Sequence, residues 1–313
     1  MTKIPGRQRQ RMLALLRQLA PKEGYTLTPL PDVRLLRSNR PLSRTPVLYE
    51  PGIVIVCQGC KRGYWGDQTF VYDDQHYLVV SVPVPFTMET DATVDAPLLA
   101  IYFRLDIAMA TELAVQMDER NGPTTARPRG LYSSPMEQAL SASVLRFLEA
   151  LAHPPEAELL GLALVREIYY RILTGAQGGS LRAALAQPGK FGMVNRAIRV
   201  IHARFDEALS VDELAHEAAM SVPTFHAHFR AMTGTSPMRY VQSTRLHQAR
   251  LLMLQQHTTA AAASAAVGYE SASQFSREFK RLFGRAPVQE VDRMRRNFAM
   301  PESLTPSPFV SSH

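Results

Sequence analysis

Between about residue 25 and residue 104, apolar positions come in short runs, IVIVC, TFVYD, HYLVVSV and LLAIYFRL, broken by Pro, Gly, Asp and Asn. Runs of that length, rich in β-branched and aromatic residues, predict successive strands of an antiparallel sheet or barrel. VPVPF at 82–86 carries two prolines, which predicts an edge or a bend. Ahead of this region, residues 7–20 have the spacing of a short amphipathic helix that Pro21 ends. Behind it the period changes to three and four, predicting helices over about 106–118, 135–151 and 156–174, with 119–134 as a loop. GAQGGS at 175–180 and QPGK at 187–190 form a glycine-rich joint. From Phe191 to Phe298 every segment reads as helix, and PESLTPSPFVSSH reads as a disordered tail.

The helical part repeats itself. SVPTFHAHFRAMTG at 221–234 and SASQFSREFKRLFG at 271–284 share a skeleton, with Ser221/Ser271, Phe225/Phe275, Phe229/Phe279 and Gly234/Gly284 all 50 positions apart. Each copy reads as two short helices crossing at a tight turn. Ser210 with Glu213, and Ser271 with Gln274, have the spacing of capping boxes, and Ser221 is placed to cap as well. Phe225, Phe229 and Met232 in one copy, and Phe275, Phe279 and Leu282 in the other, form the expected buried stripes. Pro223, His226, Ala227 and Arg230 then face outward, as do Ser273, Ser276, Arg277 and Lys280 beside Gln274. Hydroxyls, amides and cations on one helix face are the groups that read base edges and phosphates in a major groove. Pro237 to Leu254 predicts a joining helix of 18 residues, ~27 Å long. Successive major-groove faces lie ~34 Å apart, so one chain would present two recognition helices to neighbouring grooves of double-stranded promoter DNA.

The charge distribution agrees. The 313 residues carry a formal charge of +7, and the stretch from Arg230 to Arg296, with 11 basic residues against 4 acidic ones, accounts for the same net +7. Two cysteines are too few for a disulfide framework, and no run of 18 apolar residues is present, so the expectation is a cytoplasmic chain without a membrane partner.

The C-terminal hundred residues resemble the AraC/XylS-type DNA-binding domain. The resemblance rests on LSVDELAHEAAMSVPTFHAHFRAMTGTSPMRYV, the linker RLHQARLLM and AAVGYESASQFSREFKRLFGRAPVQEV. The segment VLYEPGIVIVCQGCKRGYWGDQTFVYDDQHYLVVSVPVPFTMET resembles the companion domain of one branch of that family, a small cupin-like barrel followed by helices that senses a ligand. The resemblance implies an α+β chain: a β-rich cupin-like regulatory barrel with helices at 1–180, a linker at 181–192, an all-α double helix-turn-helix domain at 193–298 and a tail at 299–313. It implies DNA contacts by Val222, Pro223, Thr224, His226, Ala227 and Arg230 in the first module. In the second it implies Ser271, Ala272, Ser273, Gln274, Ser276, Arg277 and Lys280. The first module departs at Ala227, where the family often has a long polar side chain, which shifts its reading toward apolar and shape contacts by Val222, Pro223 and His226. The implied partners are promoter DNA, RNA polymerase, a small-molecule effector and a second copy of the chain. Helices 135–174 either supply that dimer interface or pack on the barrel.

Other candidate chemistry is thinner. His226 and His228 point to different helix faces, and the H-E-x-x-H pattern opened by His216 fails at Met220, so no metal site is expected. Cys57-Gln-Gly-Cys60 lacks companion ligands for zinc. It reads either as a buried cysteine with a turn cysteine or as a reactive thiol pair. Tyr49, Cys57, Tyr64, Trp65 and His76 are the candidates for lining an effector pocket. Arg245, inside the apolar stripe of the joining helix (Met238, Val241, Ala249, Leu252), is expected to pair with an acid of the 206–217 segment. No nucleophile elbow, phosphate loop or dinucleotide fingerprint occurs, so neither catalysis nor a cofactor is expected. The competing reading is a cupin-type small-molecule enzyme with a basic helical appendage.

Overall fold

The run IVIVC has apolar residues in both phases of a strand, which requires burial on both faces. The computed structural model, which describes residues 6–65, 67–186 and 189–297, gives that run such a place. After helix α1 (Gly6–Leu19) come strands β1 (Gly24–Leu27), β2 (Val33–Ser38), β3 (Leu42–Tyr49), β4 (Gly52–Gln58), β5 (Cys60–Trp65), β6 (Gln68–Asp73), β7 (His76–Val80), β8 (Val84–Asp91) and β9 (Leu98–Arg104). Helix α2 (Ile107–Asn121), strand β10 (Leu131–Pro135) and helices α3 (Gln138–Leu151), α4 (Pro154–Thr174) and α5 (Gly178–Leu185) complete the N-terminal half. The strands form one antiparallel sheet in the order β1-β2-β9-β4-β7-β6-β5-β8-β3, with β10 added to β7. The sheet curls around a core of Tyr49, Val54, Val56, Leu78, Val80, Phe86, Met88, Ala100 and Tyr102. The opposite phase of the same strands, Ile53, Ile55, Val79, Leu99, Ile101 and Phe103, packs under α1 to α5. Helices 138–174 are therefore seated on the sheet by one face.

The structure corrects three local expectations. Of the prolines of VPVPF, Pro83 follows a bend at 81–82 just before β8, where a bend was expected, while Pro85 lies on β8 itself, a strand inside the order. β8 pairs with β3 from Val84 onward but with β5 only from Thr87, so Pro85 meets no donor requirement on its β5 side. The loop expected at 119–134 ends in β10, whose Ser- and Pro-containing sequence pairs along the whole of β7. The glycine-rich joint is helical at 178–185, and helix resumes at Lys190, inside the stretch expected as a linker. The tail expected at 299–313 lies outside the described residues. No helix among the described residues is long and apolar enough to cross a membrane.

The remaining helices are α6 (Lys190–Ala203), α7 (Val211–Glu217), α8 (Val222–Thr233), α9 (Pro237–Gln255), α10 (Ala260–Ala266), α11 (Ala272–Phe283) and α12 (Pro287–Asn297). They share one apolar core with the curled sheet. Polar bonds cross the junction as well. Tyr240 on α9 donates its hydroxyl to the carbonyl of Pro83 at 2.8 Å. Arg250, wholly buried, reaches the carbonyl of Pro46 at 3.1 Å and faces the equally buried Glu290 at 3.5 Å. Glu290 is also held by Arg293 at 2.8 Å, and burial pulls the Arg250 guanidinium down to about 10 against the opposing pull of Glu290.

His202 on α6 lies 2.7 Å from the Tyr240 hydroxyl, with the two rings edge to face. Burial lowers its pKa to about 3 from an ordinary 6.5, and burial lowers His247 in the same direction. An unfolded chain takes up a proton near pH 6.5 that the native His202 refuses until about pH 3. The native state binds fewer protons in that window. The His202 contribution is therefore complete above pH 6.5 and lost as pH falls. Urea midpoints of the parent are expected to drop from about pH 7 to about pH 5, and His202→Gln to drop less steeply. Parallel pH profiles for the two proteins would contradict this account.

Candidate nucleic-acid interface

Local capping places both pairs of short helices. Ser210 Oγ accepts from the Glu213 amide at 3.1 Å to start α7, and Ser271 Oγ accepts from the Gln274 amide at 3.3 Å to start α11. The reciprocal half of each box is spent elsewhere: Glu213 pairs with Arg204 at 2.7 Å, and the Gln274 amide donates to Glu278 at 3.2 Å. Ser221 does not cap as expected. Its hydroxyl donates to Thr224 Oγ1 at 2.9 Å, while Pro223 sits at the start of α8. Gly234 and Gly284 end α8 and α11 with φ of 71° and 77°, the left-handed conformation that glycine adopts freely.

Inside, Phe225 and Phe229 stack edge to face at 5.3 Å, and Phe229 meets Tyr240 at 5.4 Å. In the second module Phe275, Phe279 and Phe283 form the buried stripe, with His247 edge-on to Phe283 at 5.1 Å. Phe283 takes the place expected for Leu282, which is half-buried, because the core contact here follows a four-residue step.

The outward faces are open. Pro223, Thr224, Ala227 and Arg230 are exposed, with Val222 and His226 half-buried. Ser271, Ala272, Ser273, Gln274, Ser276, Arg277 and Lys280 are all exposed. α11 is therefore divided cleanly between an aromatic inner face and a cationic, hydroxyl-bearing outer one. Among the described residues no group of three metal-ligating side chains converges.

The joining helix positions the two modules. α9 is 19 residues long, and its second half is buried on nearly all sides from Leu246 to Leu251 because the sheet lies on one side and both modules on the others. Met238, expected in its apolar stripe, is 43% exposed and does not contribute. Arg245 takes no acidic partner. It donates to the carbonyls of Phe205 at 2.6 Å, Glu207 at 2.7 Å and Gly268 at 3.2 Å. The first two belong to the turn before α7 and the third to the turn before α11, so one guanidinium ties the modules together. Gly268 has φ 81°, and a Cβ there would stand 2.2 Å from the Asp206 carbonyl. Only glycine permits that approach.

The five residues expected to line a pocket do not converge. Tyr49 is inside the curled sheet, edge-on to Phe86 at 4.8 Å, and burial raises its pKa well above the phenol range. Cys57 faces the other way, under the helical layer, where burial pushes its thiol up to about 12. That is the inert reading of the cysteine pair; Cys60 is partly exposed and also raised by burial. Tyr64 lies under the Arg44 guanidinium at 3.9 Å and bonds Glu89. His76 pairs with Asp73 at 3.1 Å in the β6–β7 hairpin. Trp65 points at the helical domain and donates its indole N–H to the Thr233 carbonyl at 2.9 Å. Sequence reasoning missed Lys61, which is fully buried in the sheet interior beside Tyr72 and Thr90 and which burial lowers to about 7. Its position two residues from the inward Gly63 was the available signal.

Residues 29–180 match the family model of the AraC-type transcriptional regulator N-terminus, and residues 214–307 match a helix-turn-helix domain model. The chain is 31% identical over 94 residues to the HTH-type transcriptional activator RhaS of Escherichia fergusonii, covering 30% of this chain and 34% of that protein. It is 23% identical over 159 residues to the HTH-type transcriptional regulator ArgR of Pseudomonas aeruginosa, covering 51% and 48%. The chain thus spans about a third to a half of the length of the curated relatives it matches. Its fold is similar to apo ToxT K231A of Vibrio cholerae, with a TM-score of 0.56 over 87% of this chain and 99% of that one at 10% identity. A second structure of that protein is described as bound to an unsaturated fatty acid, with a TM-score of 0.54, 10% identity and coverage of 86% and 96%.

Arg245→Met removes the shared donor and leaves three carbonyls to find other partners. A loss of about 2–3 kcal/mol in urea unfolding is expected, with Arg245→Lys recovering less than half, because a point ammonium does not reach three carbonyls as a planar fork does. A lysine variant as stable as the parent would show that the fork is not the reason.

Proposed function

The chain belongs to the AraC family of transcriptional regulators, and on that premise we propose that it binds promoter DNA sequence-specifically and alters transcription when its N-terminal half holds a small molecule. The observation that carries the reading is the pair of open recognition faces on α8 and α11, braced by one buried helix and by Arg245. On α11 we assign Arg277 to a guanine edge and Ser273, Gln274 and Ser276 to neighbouring edges, with Lys280 on a phosphate. Ser271 and Ala272 bring the helix start against the backbone of the duplex. On α8, Val222, Pro223, Thr224, His226 and Ala227 read shape and thymine methyls, with Arg230 on a phosphate.

The inner side of the curled sheet is apolar and carries the buried cation Lys61 beside Thr90, and the effector class we assign to it is a small molecule with an acidic head. The fatty acid bound by ToxT is chemistry of that kind. Such a molecule acts by favouring one arrangement of the two halves over another. RNA polymerase is the partner through which the outcome is read, in the cytoplasm. A second copy docks on α4, where Leu159 is 80% and Leu162 62% exposed on the side away from the sheet.

Gel-shift titration of the full chain against a duplex from its own upstream region, with random duplex as competitor, tests the reading. Preference for the upstream duplex is expected, and equal binding to both would end it. Arg277→Ala is expected to relax base choice at one position by about 1–3 kcal/mol, whereas Lys280→Ala weakens all sequences alike and lowers the salt slope by about one. Indistinguishable effects would overturn the division of roles.

A further inference from the structure

The two recognition helices end in the same backbone but in different company. A Cβ at Gly284 would meet nothing within 4 Å, whereas a Cβ at Gly234 would stand 2.4 Å from the indole nitrogen of Trp65. That indole N–H donates to the Thr233 carbonyl at 2.9 Å. Thr233 is the last residue of α8, and its carbonyl is one of those a helix leaves without an internal partner. The segment before β10 adds a second stop, since a Cβ at Gly130 would stand 2.6 Å from the Met232 carbonyl. The curled sheet therefore closes on the carboxyl end of α8 from two sides.

We propose that Trp65 is a positioning residue for DNA recognition: its bond to Thr233 fixes the carboxyl end of α8 to the sheet, so that through this bond the N-terminal half governs how the first recognition helix meets DNA. The proposal rests on the DNA-binding reading above. α8 has 12 residues and is ~18 Å long, so holding one end sets the aim of the other. β5 joins the contact to the interior, because the same strand carries Trp65 at its end and the buried Lys61 and Gly63 along its inner side. The second module meets the sheet elsewhere, at β3, and has no equivalent contact at its terminating glycine.

Trp65 is the chain's single tryptophan, so its emission reports this contact alone. Acrylamide quenching of the full chain is expected to rise in Gly234→Ala and to stay unchanged in Gly284→Ala, which carries the same backbone strain. Equal quenching in both would show that the contact is not made in solution, and would overturn the proposal with no reference to DNA. The second test footprints the full chain on a duplex that it selects from a random pool, reading each half of the site separately. Trp65→Phe keeps a ring and removes the donor. Roughly fivefold weaker protection of the half covered by α8 is expected, with the other half unchanged. Weakening of both halves, of neither, or tighter binding at the first half overturns the proposal and leaves DNA binding standing. Failure to select any sequence overturns the DNA-binding reading and this proposal with it.

Discussion

Arg245 reaches from the middle of α9 to three backbone carbonyls drawn from two different helix-turn-helix units, and the relation between those units depends on it. A guanidinium surrounded by carbonyl dipoles needs no counter-charge, because each N–H that points inward has an acceptor. An acidic partner would have satisfied the arginine from one module alone. Carbonyls from the Phe205–Glu207 turn and from Gly268 instead make the side chain a bridge, and the near contact of Gly268 with the Asp206 carbonyl shows how closely the turns are drawn together. Rigidity between two reading heads matters physically. If the heads moved independently, the second would gain only the effective concentration that a flexible tether allows, whereas a fixed pair binds as one body on one spacing of grooves.

The N-terminal half is not a separate bead on the same string. Strand β3 presents the carbonyl of Pro46 and the residue just before β8 that of Pro83, and buried groups of the helical domain, Arg250 and Tyr240, take them up. Arg250 and Glu290 lie at zero exposure, where an ion pair repays its desolvation only if further bonds complete it. The Pro46 carbonyl and Arg293 supply those bonds, one from each half. Separating the halves would strip Arg250 of an acceptor and open apolar surface of both cores to water. That cost makes the packed arrangement a defined state, and a defined state is what an effector needs if it is to favour one arrangement over another.

The parts of the fold legible in the sequence are those decided locally. The caps at Ser210 and Ser271, the glycine stops and the phenylalanine spacing are short-range features, and the 50-residue offset doubled the glycines and the phenylalanines. Strands such as IVIVC declared themselves through β-branched residues. What escaped the reading depends on partners far along the chain. LYSSP at 131–135 has little strand character of its own and is a strand because β7 offers it a ladder. GGSLRAAL coils into a helix where the glycines suggested a joint, since Leu181 and Leu185 find a core under the sheet. Phase within a strand decided the fate of Cys57 and Lys61, and phase is set by which side the helices cover. Trp65 reads as a pocket residue by its type; the contact it makes follows from where α8 ends.

A duplicated element need not stay duplicated in function. α8 and α11 share phenylalanines, a closing glycine and a following Ser/Ala-Pro start, so the same internal forces fold both. Their outer faces differ, with Ala227 where α11 has Arg277, and so do their surroundings. A short neutral side chain leaves α8 little purchase on a base edge, so the quality of its fit depends on how the helix is aimed. A helix that carries its own charged contacts tolerates a looser mount, because long side chains adjust by a rotamer. The module with the poorer reading face is also the one that the N-terminal half holds by its end. On the proposed function, control placed there costs the least intrinsic affinity and commands the largest relative change.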